Sequence, residues 1–251
     1  MLPTLQLGPL ALPVPGLVIL VGLWIALSLS ERRAVQKGIA SNDFYSLVMI
    51  SFGVGVIGAR LAYVIQYPDA FQASPASLFS FNPRLFDLTA GIAAGLLSGT
   101  IYAQRKHFSL WPTLDILTPG LAVMGISLGL SHIASGTAFG VPTRLPWGID
   151  LWGEIRHPTQ IYETFMACLI LAIVLLLEKS ISPRQSGVVF WAFIGMSAAS
   201  RLFLEAFRGD STLIFGGIRD AQLFAWLVLG VSLIGVYQRL HIMDSQENLP
   251  S

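Results

Sequence analysis

Apolar residues in this chain gather into long runs, and polar residues are mostly confined to the stretches between them. A bilayer core takes about 20 residues of helix, and on that measure the runs predict seven spans. They cover about 10–30, 44–66, 87–103, 114–133, 157–178, 187–208 and 220–237. The first does not read as a signal peptide, because no positive segment precedes it and no small-residue cleavage site follows. The third and fourth are short and rich in Gly, Ser and Thr, a composition that favours close helix packing. The pattern predicts an all-α, polytopic membrane protein formed as a single transmembrane domain over residues 1–251.

Positive charge between the runs predicts how the spans are oriented. Arg32, Arg33, Lys37, Arg105, Lys106, Lys179, Arg184 and Arg239 fall on one side. Arg84, Arg144, Arg156 and Arg219 fall on the other, and every lysine belongs to the first group. The richer side is the cytoplasmic one, which puts the N-terminus outside and the C-terminus inside.

One polar stretch opens an apolar run and then continues into it: Arg156-His157-Pro158-Thr159-Gln160-Ile161-Tyr162-Glu163. Pro158 suits the first position of a helix, where its missing N–H costs nothing. Gln160 and Glu163, three apart, share a face, with Tyr162 beside them. The stretch reads either as an interfacial cap, with Arg156, His157 and Tyr162 among head groups, or as the wall of a polar site.

Charges inside or bordering the spans gather toward the outer side. Arg60 lies in the second span, with Tyr63 and Tyr67 on its face. Arg201 lies in the sixth, with Glu205 and Arg208 four and seven residues on, an Arg, Glu, Arg stripe. Asp87 starts the third span and His132 stands near the end of the fourth. Asp115 reads as an ordinary helix-start residue. A buried arginine needs a partner, and Glu205 or Glu163 could supply it. The stripe is therefore either an ion-pair network that fixes packing or a pocket for an anionic head group, which arginine's planar fork suits.

Composition narrows the class further. The chain is 54% hydrophobic and 12% charged, half the charge of a typical soluble domain, and its mean hydropathy is +0.68. A net charge of +1 gives no basic balance for nucleic acid. The single cysteine, Cys168, can form no intrachain disulfide and reads as a small buried hydrophobe.

The stretch from Arg156 to Glu163 resembles the HP-(S/T)-Q-x-YE motif of bacterial prolipoprotein diacylglyceryl transferases. Residues 58–64, GARLAYV, are similar to that family's GGRIGYV segment, and residues 201–210, RLFLEAFRGD, to its RxxxExFRxxD stretch. Asp115 to Pro119 is similar to its aspartate–proline entry to the fourth helix. The resemblance implies transfer of diacylglyceryl from phosphatidylglycerol to a lipobox cysteine of a preprolipoprotein, with release of glycerol phosphate. It places that reaction at the outer leaflet of the bacterial cytoplasmic membrane, and it calls for no cofactor and no metal. It implies that Arg201 grips the phosphate, that Glu205 orients Arg201, and that Gln160 and Glu163 support the pocket. Arg60, Tyr63, His157, Tyr162 and Arg208 complete the implied substrate contacts. The thiol comes from the substrate, so Cys168 has no role.

Two family signatures are changed. Ala90 stands where a family histidine opens the third helix. In residues 129–140 the family's arginine is Gly129, its asparagines are His132 and Ser135, and its glutamate is Thr137. Two readings follow. One is a transferase that uses His132 or His157 as base; the other is a non-catalytic relative that binds lipid or a lipoprotein. A small transporter fits less well, because polar groups gather in one leaflet rather than at midplane.

Overall fold

A computed structural model describes residues 4–8, 10–73, 77, 80, 82, 85–214 and 218–247. Each apolar run has become a helix: α1 Val14–Gln36, α2 Ser41–Gln66, α4 Leu88–Arg105, α5 Leu110–Ser135, α6 Thr159–Ser180, α7 Val188–Glu205 and α8 Asp220–Glu247, with a short α3 at Pro68–Ala73. Three small antiparallel hairpins, β1–β2 (Thr4–Leu7 with Leu10–Pro13), β3–β4 (Ile149–Leu151 with Glu154–Arg156) and β5–β6 (Leu213–Ile214 with Ile218–Arg219), and a 3-10 turn at Pro183–Gln185 complete the described elements. Arg84, one of the arginines that set the orientation, lies outside the described residues.

All the long helices except α4 are apolar enough, as well as long enough, to cross a membrane. Large apolar side chains such as Trp24, Phe52, Leu96, Phe165 and Leu227 point away from the protein. Exposed apolar surface on that scale needs a non-aqueous surround. This is an all-helical, polytopic membrane protein. Cys168 is exposed on α6 rather than buried, on one of these outward faces.

Some boundaries differ from those read in the apolar pattern. Residues 10–13 form strand β2, and α1 starts only at Val14. Prolines 13 and 15 explain the shift, since Pro is tolerated in a first helical turn but not deeper. α7 stops at Glu205, so Arg208 is not helical.

The chain divides into two compact units, Glu31–Thr113 and the remainder. In the first, α2 and α4 meet through glycine. A Cβ at Gly55 would come within 3.0 Å of the Gly91 carbonyl, and one at Gly95 within 3.0 Å of the Ser51 carbonyl. Asp87 caps α4 by accepting from the Ala90 N–H at 2.8 Å, and its own N–H donates to the Ala59 carbonyl. At the other end of this helix pair Lys106 meets Asp43 at 2.7 Å, and that carboxylate holds the Lys106 ammonium above its ordinary value.

In the larger unit, α5 packs on the first part of α1, where a Cβ at Gly120 would meet the Ala26 carbonyl at 2.9 Å. α6 and α7 share a small core of Ile170, Val174 and Val189. Gly195 and Ser232 bring α7 and α8 together. Asp115 does not start a helix, because α5 begins at Leu110. Its carboxylate instead accepts from the N–H groups of Gly187 (2.5 Å) and Phe190 (2.9 Å), so a residue of α5 caps α7. Replacing a cap of this kind by alanine costs about 0.5–2 kcal/mol. Asp115→Ala is expected to lower unfolding stability in detergent by that amount, and Asp115→Asn by less; equal losses in the two would deny the cap its role.

Candidate functional site

The ends of four helices meet at one face of the larger unit: the C-termini of α5 and α7 and the N-termini of α6 and α8. What aligns them is the chain just after α5. Gly136 closes that helix in the left-handed conformation (φ 76°), donating to the His132 carbonyl at 2.8 Å. Residues 139–142 then run between two other segments. Val141 donates to the Phe207 carbonyl (2.9 Å), Gly209 donates to the Phe139 carbonyl (2.9 Å), and His157 donates to the Val141 carbonyl (3.1 Å). Gly140 and Gly209 are glycine because the backbones touch. A Cβ at Gly140 would strike His157, and one at Gly209 would sit 2.9 Å from the Gly140 carbonyl.

The polar start of α6 is bound into this junction. Thr159 and Gln160 are both buried. Thr159 Oγ1 donates to the Ala138 carbonyl at 2.6 Å and Gln160 Nε2 to the Thr137 carbonyl at 3.0 Å. Gln160 Oε1 has no hydrogen-bond partner among the described residues. Tyr162 accepts from the Trp147 indole at 2.8 Å, and His157 lies against the rings of Phe207 and Tyr162. Arg156 is held by Glu154 and the Gly140 carbonyl, over the Phe139 ring.

The charged groups form two sets. In the first, Glu205 is wholly buried, with Arg201 Nε 3.1 Å and Arg208 Nε 4.0 Å from its Oε2. Neither Glu205 oxygen makes a directed hydrogen bond among the described residues, so charge alone holds the carboxylate. Arg208 is also forked onto Asp210, Nε to Oδ1 at 3.0 Å and Nη2 to Oδ2 at 2.9 Å. In the second set, His132 Nδ1 lies 2.8 Å from Glu163 Oε2. Sequence spacing left Glu163 open as a partner for an arginine; it pairs with the histidine.

Two cavities share Arg201 and Arg208. The larger, about 420 Å³, is lined also by Glu205, Asp210, Asp220, Ser211 and Phe224. The smaller, about 110 Å³, is lined also by Thr159, Glu163, Ser197, Ser200 and Leu204. Formal charge differs between them. Two guanidinium groups face three carboxylates in the larger, but only Glu163, already paired, in the smaller. Arg201 is 41% exposed, and no described residue hydrogen-bonds its two terminal nitrogens. Among the described residues, then, Arg201 presents both terminal nitrogens on the two cavities without a hydrogen bond, whereas the Arg208 fork is spent on Asp210.

Asp210, Asp220, Ser197 and Ser200 were not read from the sequence as site residues. Ser197 did carry a signal, standing four residues before Arg201 on its helical face, whereas Ser200, the residue just before Arg201, lies off that face and carried none. Asp220 carried none, because only the fold brings the start of α8 to Arg201. Arg60 and Tyr63 lie in the other unit. Arg60 donates to the carbonyls of Leu85 (2.7 Å) and Ser77 and lies over the rings of Phe71 and Phe86. Tyr63 packs on Tyr67 and Phe71.

Comparison with known proteins gives one consistent result. A family profile described as prolipoprotein diacylglyceryl transferase matches residues 3–238. Similar proteins named phosphatidylglycerol–prolipoprotein diacylglyceryl transferase include one from Clostridioides difficile, 28% identical, covering 93% of this chain and 91% of the relative. One from Clostridium botulinum is 29% identical over 92% and 94%. One from Streptococcus pneumoniae is 29% identical over 93% and 92%.

Proposed function

This chain belongs to the prolipoprotein diacylglyceryl transferase family, and from that membership we propose that it moves the diacylglyceryl group of phosphatidylglycerol onto the cysteine thiol of a prolipoprotein. The observation that carries the reading is the Arg201 fork. Glu205 sits beside its Nε, which leaves two parallel N–H donors on a side chain that lines both cavities, the arrangement that grips two phosphate oxygens at once. The smaller cavity suits the phosphate. A water needs about 10–15 Å³ of such volume, so about 110 Å³ holds a phosphate with room to spare. The serine and threonine hydroxyls around it can donate to further oxygens.

Charge on the departing phosphate oxygen grows as its bond to the glycerol carbon breaks, and a donor fixed in advance lowers that barrier. Arg208 adds positive potential from its place between Glu205 and Asp210. Catalysis is favoured over a purely binding role, because the similar proteins from three organisms all carry a transferase name. Within the larger unit, Lys179 and Arg184 lie at the C-terminal end of α6 and ahead of α7, at the opposite ends of those helices from the site, which supports a site at the outer leaflet of the cytoplasmic membrane.

The test is direct. Purified protein in phosphatidylglycerol vesicles is given a synthetic lipobox peptide, and the peptide is weighed by mass spectrometry. The expected result is a gain of one diacylglyceryl group, absent when the cysteine is replaced by serine. A relative that modifies the peptide under conditions where this protein does not would overturn the catalytic reading.

A further inference from the structure

We infer that His132, oriented by Glu163, is the base that takes the proton from the acceptor thiol. The inference rests on the transferase reading above and assigns the one step that the arginines cannot perform. A free thiol has a pKa near 8.5 and is mostly protonated at neutral pH. Guanidinium groups favour the thiolate once it exists but cannot accept its proton.

The geometry selects one histidine. A carboxylate oxygen only accepts, so the 2.8 Å contact to Glu163 puts the hydrogen on His132 Nδ1. Nε2 then carries the lone pair, and no described residue hydrogen-bonds it. Glu163 stabilises the imidazolium formed when Nε2 takes a proton, the role a carboxylate plays behind a catalytic histidine. The same Glu163 lines the smaller cavity, as do Arg201 and Arg208. Neither histidine is itself in the lining of the two cavities, but His132 adjoins the smaller one through Glu163. His157 has no such link: among the described residues its Nδ1 is buried without a partner, and its ring packs on Phe207 and Tyr162 with no carboxylate to orient it.

The pair is held together by helix packing. Gly129, one turn before His132 on α5, lies where α6 passes closest. A Cβ there would come 2.5 Å from Thr164 Oγ1 and 3.0 Å from the Thr164 nitrogen. Thr164 follows Glu163, so the approach that requires glycine at 129 is the one that brings Glu163 to His132. Any larger residue at 129 would push α6 away and open the pair.

In the step itself, the thiol proton moves to Nε2 and the sulfur attacks the glycerol carbon bonded to the phosphate oxygen. A C–S bond forms as that C–O bond breaks, and its electron pair leaves on the phosphate oxygen facing Arg201. The imidazolium then returns its proton to the released glycerol phosphate. The charged group against the imidazole is Glu163 from α6, and the cavity that Glu163 lines carries Arg201 from α7 and Arg208 from the segment after it.

The experiment compares wild type with His132→Ala and His132→Gln, using lipobox peptides that carry either cysteine or selenocysteine. A selenol is ionised at neutral pH and needs no base. Loss of a general base costs about 100-fold to 10,000-fold. With the cysteine peptide the variants should fall by at least about 100-fold at pH 7, and their rate should recover as pH rises through the thiol's own ionisation. With the selenocysteine peptide they should match wild type. Equal losses on both peptides, or no loss on either, would overturn the inference while leaving the transferase reading intact. Absence of adduct with wild type and either peptide would overturn both.

Discussion

Arg201→Lys is expected to lower kcat/KM for diacylglyceryl transfer by about 100-fold to 1,000-fold, the usual cost of removing one fixed donor from a developing negative charge. Lysine keeps the positive charge, so a site that needed only charge would be spared. The loss is expected because the geometry asks more of residue 201. It must meet Glu205 with one nitrogen, at 3.1 Å, and still present two parallel donors to a phosphate. Only a guanidinium does both. Arg201→Ala should lose phosphatidylglycerol binding as well. Arg201→Lys keeps a positive charge beside Glu205, so its thermal midpoint in detergent should stay near wild type, whereas Arg201→Ala leaves the buried carboxylate with one arginine fewer and should lower it. A lysine variant of near-normal activity would leave charge, not the fork, as the operative feature.

Glu205→Ala is expected to act on stability first. Removing one partner of a buried ion pair costs about 3–5 kcal/mol, because the opposite charge is left uncompensated. Glu205 is wholly buried between two arginines, but Arg201 reaches solvent, which places the expected loss near the lower end, about 3 kcal/mol. Activity should fall with it, since the Arg201 fork loses its anchor. A double-mutant cycle sharpens the test: Arg201→Ala combined with Glu205→Ala should be less destabilised than the two single losses added together. Strict additivity would mean that the carboxylate is not held by Arg201.

How much of this was legible in the sequence varied with the range of the interaction. Helix positions were legible because a run of apolar residues is a local property, and in lipid the backbone must satisfy its own hydrogen bonds. The Arg201, Glu205 and Arg208 stripe was legible because spacings of three and four are set by the turn of one helix. Even there the helix stops at Glu205. Arg208 keeps its place through the bridge between its segment and Gly140. The polar start of α6 announced itself as unusual, but its spacing did not tell that Thr159 and Gln160 would be spent on the carbonyls of Ala138 and Thr137.

By itself, the sequence determined that this is a helical membrane protein and, to within a turn or so, where each long helix lies. Tertiary structure alone decided the pairings: Glu163 with His132 instead of an arginine, and Asp115 on the start of α7 instead of its own helix. It also decided that Arg208 would be forked onto Asp210 while Arg201 stayed open. The physical reason is that a helix's register is written in its own residues, whereas a partner is chosen by which faces can approach. At Gly129 and Gly140 that approach depends on the absence of a side chain, and its consequence appears only when the neighbouring backbone is in place.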